Sequence, residues 1–195
     1  MTTIGLVRHG ITEWNLLGIA QGNADIPLNE TGRKQAEALA ERLAFEESWD
    51  MIVSSDLVRA KETAEIIAER LTVPVSFFDK RLREMSGGQI EGTTEEQRLE
   101  KWGETWRELD LGMETQESAA KRGVELLEDM LSSFPGKRIL LVSHGGLIGV
   151  TFKKLLPERY EETHMGNTSI TILENLESRW NCTLYNCTKH LVATT

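Results

Sequence analysis

Two apolar, β-prone runs in this chain end alike, and that repetition constrains the fold more than any other feature. Thr2 to Val7 leads into Arg8, His9 and Gly10, and Arg138 to Val142 leads into Ser143, His144, Gly145 and Gly146. Short apolar runs of this kind suit strands buried on both faces, as in parallel sheets covered by helices on each side. In such sheets ligands bind in the crevice beyond the carboxyl ends of the strands, so the two imidazoles are placed to meet over one site. A single strand-end histidine is more often a polar residue satisfied in a loop. Two of them, one beside an arginine and both followed by glycine, point to a functional pair.

The intervening pattern agrees with a parallel sheet. After a loop-rich stretch from Ile11 to Leu28, Asn29 reads as an N-cap, and Ala36, Leu39, Ala40 and Leu43 mark one helical face to about Phe45. Met51 to Val53 reads as a buried strand, Ala60 to Leu71 keeps a helical period, and Val75 to Phe78, set off by Pro74, reads as another strand. Strand, helix, strand, helix, strand predicts parallel pairing through right-handed crossovers. Residues 79–92 read as a polar loop with glycines, 93–112 as one or two short charged helices carrying Trp102 and Trp106, and Ser118 to Phe134 as a longer helix. A helix to about Leu156 follows the second histidine, and two β-rich segments, Thr168 to Leu173 and Trp180 to Tyr185, close the chain. The expectation is an α/β fold: a three-layer sandwich with a mostly parallel central sheet flanked by helices, and a small helical cap region. With 195 residues, 39% of them hydrophobic, the chain reads as one domain over 1–195, with 79–117 as a cap-like insertion.

Charge narrows the partners. A formal net charge of -9 with no Lys/Arg run argues against nucleic acid and anionic membranes, so an anionic ligand must be held by a local cluster of positive groups. There is no secretory leader and no apolar run near the roughly 20 residues of a membrane span, which predicts a soluble, cytoplasmic protein. Cys182 and Cys187, five apart in a strand-like stretch, would sit on opposite faces about 16 Å apart, and are expected to be free thiols.

The chemistry then follows from the residue types. A cation beside an imidazole lowers its pKa, so Arg8 would keep His9 neutral, with a nucleophilic lone pair near pH 7. If the electrophile is a phosphoryl group, its equatorial oxygens need fixed positive donors, and Arg8 and His144 supply two. Arg59 would be a third: the run Ser55-Asp56-Leu57-Val58-Arg59-Ala60-Lys61-Glu62-Thr63-Ala64 places it in the first turn of a helix after another strand end. Its alternative is an exposed arginine pairing with Glu62 or Thr63. A carboxyl must protonate the leaving group and later deprotonate water. Glu84, at the head of the glycine-rich loop, is favoured slightly by spacing, with Glu13 and Glu91 read as solvated alternatives. Only four histidines occur (His9, His144, His164, His190), with no metal-ligand spacing and no P-loop, so neither a metal nor another cofactor is expected.

Five motifs in this order carry a family resemblance: Arg8-His9-Gly10 with Thr12, Trp14 and Asn15; Gln21-Gly22 through Asp25, Pro27, Leu28 and Gly32; Ser55 to Ala64; Leu82-Arg83-Glu84 with Glu91-Gly92; and Ser143-His144-Gly145. Over essentially its whole length the chain resembles the histidine phosphatase superfamily, in its phosphoglycerate-mutase-like branch. The resemblance implies that His9 becomes phosphorylated, that Arg8, Arg59 and His144 surround the phosphate, that Glu84 is the proton donor, and that Asn15, Gln21, Gly22 and the Gly145 amide complete the pocket. Ile19 and Ile90 depart from a basic residue and a tryptophan common in relatives. The chain looks most like small, cofactor-independent bacterial phosphatases of broad or phosphoserine-type specificity, acting on a small phosphorylated substrate as a monomer or homodimer.

The alternative enzyme is a 2,3-bisphosphoglycerate-dependent phosphoglycerate mutase, and a third reading is a phospho-ligand module without turnover. The latter needs neither a nucleophile nor a proton donor. Against the mutase, Trp106-Arg107-Glu108 offers one arginine where mutases resembling this family carry a pair. Trp102 and Trp106 are candidates for an apolar wall, though at helical spacing such residues are more often core. His190 is a candidate substrate contact reaching in from the C-terminal tail.

Overall fold

A computed structural model describes residues 1–46, 48–159, 164–177 and 179–191. Six strands form one sheet in the order β3-β2-β4-β1-β5-β6. They are β1 (Thr2–Arg8), β2 (Met51–Ser54), β3 (Val75–Phe78), β4 (Arg138–Ser143), β5 (Ile170–Leu176) and β6 (Arg179–Cys187). β1 to β4 run parallel to one another, whereas β5 pairs antiparallel with β1 and β6 antiparallel with β5. The expected mostly parallel sheet is therefore present, with an antiparallel edge.

Alternation along the central strands explains the layers. Ile139 and Leu141 of β4 face one side and Leu140 and Val142 the other, and all four are buried. The first side is covered by α5 (Gln116–Ser133) and α6 (Gly145–Leu155), through Leu126, Leu127, Met130, Ile148 and Phe152. The second is covered by α2 (Glu30–Glu46) and α3 (Val58–Leu71), through Leu39, Leu43, Ala60, Ala64 and Ile67. Each large aliphatic side chain buried this way contributes about 1.5–3 kcal/mol.

Two short helices lie outside the layers. α1 (Glu13–Leu16), missed in the sequence because a single turn has no period to read, closes on a reciprocal cap between Thr12 and Asn15. α4 (Glu95–Trp102) has the same kind of cap in Thr94 and Gln97, and falls where a short charged helix is expected. Asn29 caps α2, accepting the Gly32 amide at 2.8 Å.

Gly32 also fixes how α2 meets the turn after β1. A β-carbon there would fall 2.1 Å from the Ile11 carbonyl oxygen, and one on Gly10 would fall 2.4 Å from the Gly32 carbonyl oxygen, so two backbones touch where no side chain fits. In an open helix Gly32→Ala would stabilise by roughly 0.5–1 kcal/mol. Here it is expected to destabilise by about 1–3 kcal/mol, read as a lower urea midpoint, because the backbone itself must move.

Candidate active site

Register brings the site together. β1 and β4 are adjacent and parallel with Arg8 opposite Ser143, so the residues that follow, His9 and His144, leave the sheet side by side. The His9 amide donates to the Ser143 carbonyl at 2.9 Å, and the two rings lie 5.1 Å apart at 58°. On the far side of β4, the Ser55 amide donates to the Val142 carbonyl at 2.9 Å, which sets Ser55 against His144. The His9 turn is held from behind: Gly10 donates its amide to Thr63 Oγ1 at 3.1 Å, and the Asn167 side chain and Thr168 amide donate to the His9 carbonyl at 3.1 and 3.2 Å.

The proton positions can be read from chemistry. His9 Nδ1 lies 2.6 Å from the Gly10 carbonyl oxygen, which can only accept, so Nδ1 carries the proton and Nε2 keeps its lone pair. Burial, then the Arg59 and Arg8 charges, hold the His9 pKa well below its ordinary value. His144 is fully buried and lowered by burial first and Arg59 next. His144 is therefore not the positive donor expected from its place after a strand, because desolvation beside two arginines keeps it neutral. Its Nε2 lies 2.9 Å from Ser55 Oγ, and its buried Nδ1 has no partner among the described residues.

A pH dependence of stability follows. His9, His144 and His190 all have lowered pKa values, that of His190 near 4. Below about 6.5 the unfolded chain therefore binds protons that the folded protein does not, so stability falls as pH drops. The urea midpoint should be lower at pH 5 than at pH 7; an equal or higher midpoint would contradict these assignments.

The two arginines are tied down through their terminal nitrogens, which leaves the Nε of each unused. Arg59 is completely buried and donates to the Ala24 and Gly22 carbonyls, both at 2.7 Å, while burial pulls its pKa down to about 10, still charged at neutral pH. It does not pair with Glu62, which binds Arg33 at 3.0 Å. Arg8 donates through one nitrogen to His164 Nε2 at 2.8 Å and to the Met165 carbonyl. Arg8 Nε and Arg59 Nε are buried without partners among the described residues. A β-carbon on Gly145 would lie 3.2 Å from Arg8 Nε, so α6 begins against that guanidinium.

Glu84 closes the site from the loop after β3. Its Oε1 accepts the Met85 and Leu147 amides at 2.8 and 3.0 Å, and its Oε2 accepts the Gly146 amide at 3.0 Å. The carboxylate thus sits on the first turn of α6, where unpaired amides and the helix dipole favour an anion. Glu91 corrects the sequence reading: it is not simply solvated, because its Oε1 accepts the Asn23 and Gly87 amides, both at 2.9 Å. Glu13 is exposed, as expected.

A family profile described as the histidine phosphatase superfamily, branch 1, matches residues 4–188. The chain belongs to the histidine phosphatase superfamily. It is 37% identical over 194 residues to an uncharacterized phosphatase, PhoE, of Bacillus subtilis, covering 98% of this chain and 97% of that one. A probable phosphoglycerate mutase, GpmB, of Salmonella paratyphi A is 37% identical over 197 residues, 92% of this chain and 88% of that one. Among solved structures, a mutant phosphoserine phosphatase of Entamoeba histolytica in complex with phosphoserine superposes with TM-score 0.83 at 34% identity, covering 98% of this chain and all of that one. Family membership and its phosphatase-named relatives make the protein a phosphatase.

The remaining expected residues of this histidine phosphatase divide in two. Asn15 Oδ1 accepts from the Thr12 amide at 3.0 Å, and the Thr12 hydroxyl lies 2.8 Å from Gln21 Oε1, so Thr12 ties both together beside the histidine turn. Gly22 serves Arg59: its carbonyl takes the guanidinium, and its φ of +47° beside Glu91 leaves no room for a side chain. Ile19 and Ile90 are both half-buried. His190 does not reach over the site. It is buried with Nε2 3.0 Å from Thr168 Oγ1 and Nδ1 3.5 Å from Arg42, bracing the turn behind His9; residues 192–195 of the tail lie outside the described residues. Trp106 is buried, its Nε1 donating to Glu95 of α4 at 3.1 Å, so it belongs to the packing around that helix. Ser55, Asn167 and His164 went unassigned in the sequence, since nothing in their spacing announces contacts made across strand ends.

Proposed function

We propose that this protein hydrolyses small phosphate monoesters through a phosphohistidine on His9. One observation carries the reading: a buried histidine with a free Nε2 lone pair is surrounded by three buried nitrogens, Arg8 Nε, Arg59 Nε and His144 Nδ1, that have no partner among the described residues. Unpaired buried donors are destabilising unless a ligand satisfies them, and a phosphoryl group has the acceptor oxygens to do so. In the proposed reaction His9 Nε2 attacks phosphorus as the P–O bond to the leaving group breaks. Arg8, Arg59 and His144 hold the phosphoryl oxygens, and Glu84 passes to the departing oxygen a proton that it takes from the monoanionic ester or from solvent. Glu84 then takes a proton from the water that attacks the phosphohistidine, and inorganic phosphate leaves. For His144 to donate from Nδ1, the Ser55 hydroxyl must donate to Nε2, which it is free to do because it accepts the Leu57 amide at 3.3 Å.

Hydrolysis is favoured over return of the phosphoryl group. Arg107, the one arginine next to Trp106 in sequence, is paired with Glu95 at 2.8 Å and lies 4.3 Å over the Trp106 ring, which Arg98 also faces at 5.0 Å, so both cations are engaged with neighbours inside residues 79–117. A mutase needs cations free to hold a phosphoglycerate carboxylate while water is excluded. We read residues 79–117 as the cap of a single domain. The substrate class is broad or phosphoserine-like, in keeping with the E. histolytica relative. We assign the protein to the cytoplasm, where the free thiols Cys182 and Cys187 would stay reduced. All these site groups come from one chain, which suits action as a monomer or homodimer. Among the described residues no helix is long and apolar enough to cross a membrane.

The test is a panel of phosphorylated metabolites, phosphoserine among them, with 3-phosphoglycerate plus 2,3-bisphosphoglycerate as the mutase arm. Phosphate release exceeding 2- and 3-phosphoglycerate interconversion is expected; the reverse would make the mutase reading correct.

A further inference from the structure

We infer that Arg122 and Gly146 are positioning residues for Glu84, one fixing its backbone and the other admitting its carboxylate. The inference rests on the proposed role of Glu84 as the proton donor. Glu84 lies in a loop outside regular structure, between a 3-10 turn at Lys80–Leu82 and another at Gly88–Ile90, where a glutamate would ordinarily sample several positions. A proton donor has to hold one oxygen within hydrogen-bond reach of the leaving group.

Arg122, on α5, supplies the backbone restraint. One terminal nitrogen donates to the Arg81 and Arg83 carbonyls, both at 2.7 Å, and the other to the Glu84 carbonyl at 3.2 Å and Glu114 Oε2 at 2.8 Å. Its Nε donates to Glu114 Oε1 at 2.8 Å, so all five N–H groups of the guanidinium are engaged. Glu114 in turn pins the other side of the loop, exchanging bonds with Ser86 through its amide at 2.9 Å and its Oε2 at 3.3 Å. A lysine, a point charge with three donors, cannot reproduce this fork. Close packing of α5 on α6 puts Arg122 within reach: a β-carbon on the next residue, Gly123, would fall 2.0 Å from Thr151 Oγ1.

Gly146 supplies the space on the other side. A β-carbon there would lie 2.6 Å from Glu84 Oε1, so any larger residue pushes the carboxylate off the end of α6. With glycine present, Oε1 accepts two amides and Oε2 only one. Oε2 therefore keeps an open position, and the geometry makes it the oxygen that carries the transferred proton.

The experiment measures kcat/KM for p-nitrophenyl phosphate, whose leaving group needs little protonation, and for phosphoserine or another alkyl ester. The variants are Arg122→Met, Arg122→Lys, Gly146→Ala and, as reference, Glu84→Gln. A displaced donor should lower the alkyl-to-aryl ratio of kcat/KM by roughly 10- to 100-fold in Arg122→Met and Gly146→Ala, with Arg122→Lys between them and the parent. KM for p-nitrophenyl phosphate should stay close to the parent's. Gly146→Ala asks only the flexible end of Glu84 to move, and alanine favours a helix, so it decides the matter if Arg122→Met does not fold. An unchanged ratio in Gly146→Ala, while Glu84→Gln lowers it, would overturn the inference alone. An unchanged ratio in Glu84→Gln itself would remove the proton-donor reading, and the inference with it.

Discussion

Replacing His9 by alanine is expected to lower kcat/KM for every phosphate monoester by roughly 10⁴- to 10⁶-fold, the scale on which removing an enzyme's nucleophile acts. The reason is that no neighbour can substitute. His144 is the nearest imidazole, but its Nε2 is engaged with Ser55. If its Nδ1 carries a proton, as the phosphate-donor role requires, no lone pair remains for attack. The arginines hold their charge and offer none either. The fold should survive, since the backbone of the His9 turn is held by Thr63, Asn167 and Thr168. A urea midpoint near the parent's with activity lost would separate chemistry from folding. Retention of most activity would show that His9 is a loop residue.

Glu84→Gln should produce the second large effect, a loss of about 10²- to 10⁴-fold in kcat/KM for alkyl esters. Glutamine keeps the shape and can still accept the Met85 and Leu147 amides through its oxygen. Its amide nitrogen, however, would then face the Gly146 N–H, 3.0 Å from where Oε2 sits, and can give up no proton at neutral pH. For p-nitrophenyl phosphate the loss should be smaller, because an aryl oxide leaves without help. Equal losses on both esters would point to a structural duty for the carboxylate on α6.

Much of this arrangement was legible in the chain because it depends on short, local patterns. The two apolar runs ending in histidine announced adjacent strand ends, and the in-register pairing of Arg8 with Ser143 is what turns that pattern into a pair of touching imidazoles. Arg59 was legible as a first-turn residue at a third strand end. What could not be read were relations across the sheet or between helices. The Arg122 fork to the Glu84 loop, His164 on Arg8, and Glu91 on the Asn23 amide all join residues far apart in sequence, and no spacing encodes them. The antiparallel edge formed by β5 and β6 was seen only as two β-rich segments, since pairing direction leaves no mark on a short apolar run. His190 departs from its reading for a related reason: a polar residue near the end of a chain looks available, whereas here it is buried against Thr168 and Arg42 behind the His9 turn.

The central claim is that the phosphoryl group passes through His9 Nε2, and rapid quenching with phosphorus-labelled substrate tests it most directly. A P–N bond on imidazole is labile in acid and stable in base, so the account predicts label that survives an alkaline quench, is lost in acid, maps to the peptide containing His9, and is absent from His9→Ala. Label stable in acid and lost in base, or label retained in His9→Ala, would contradict it.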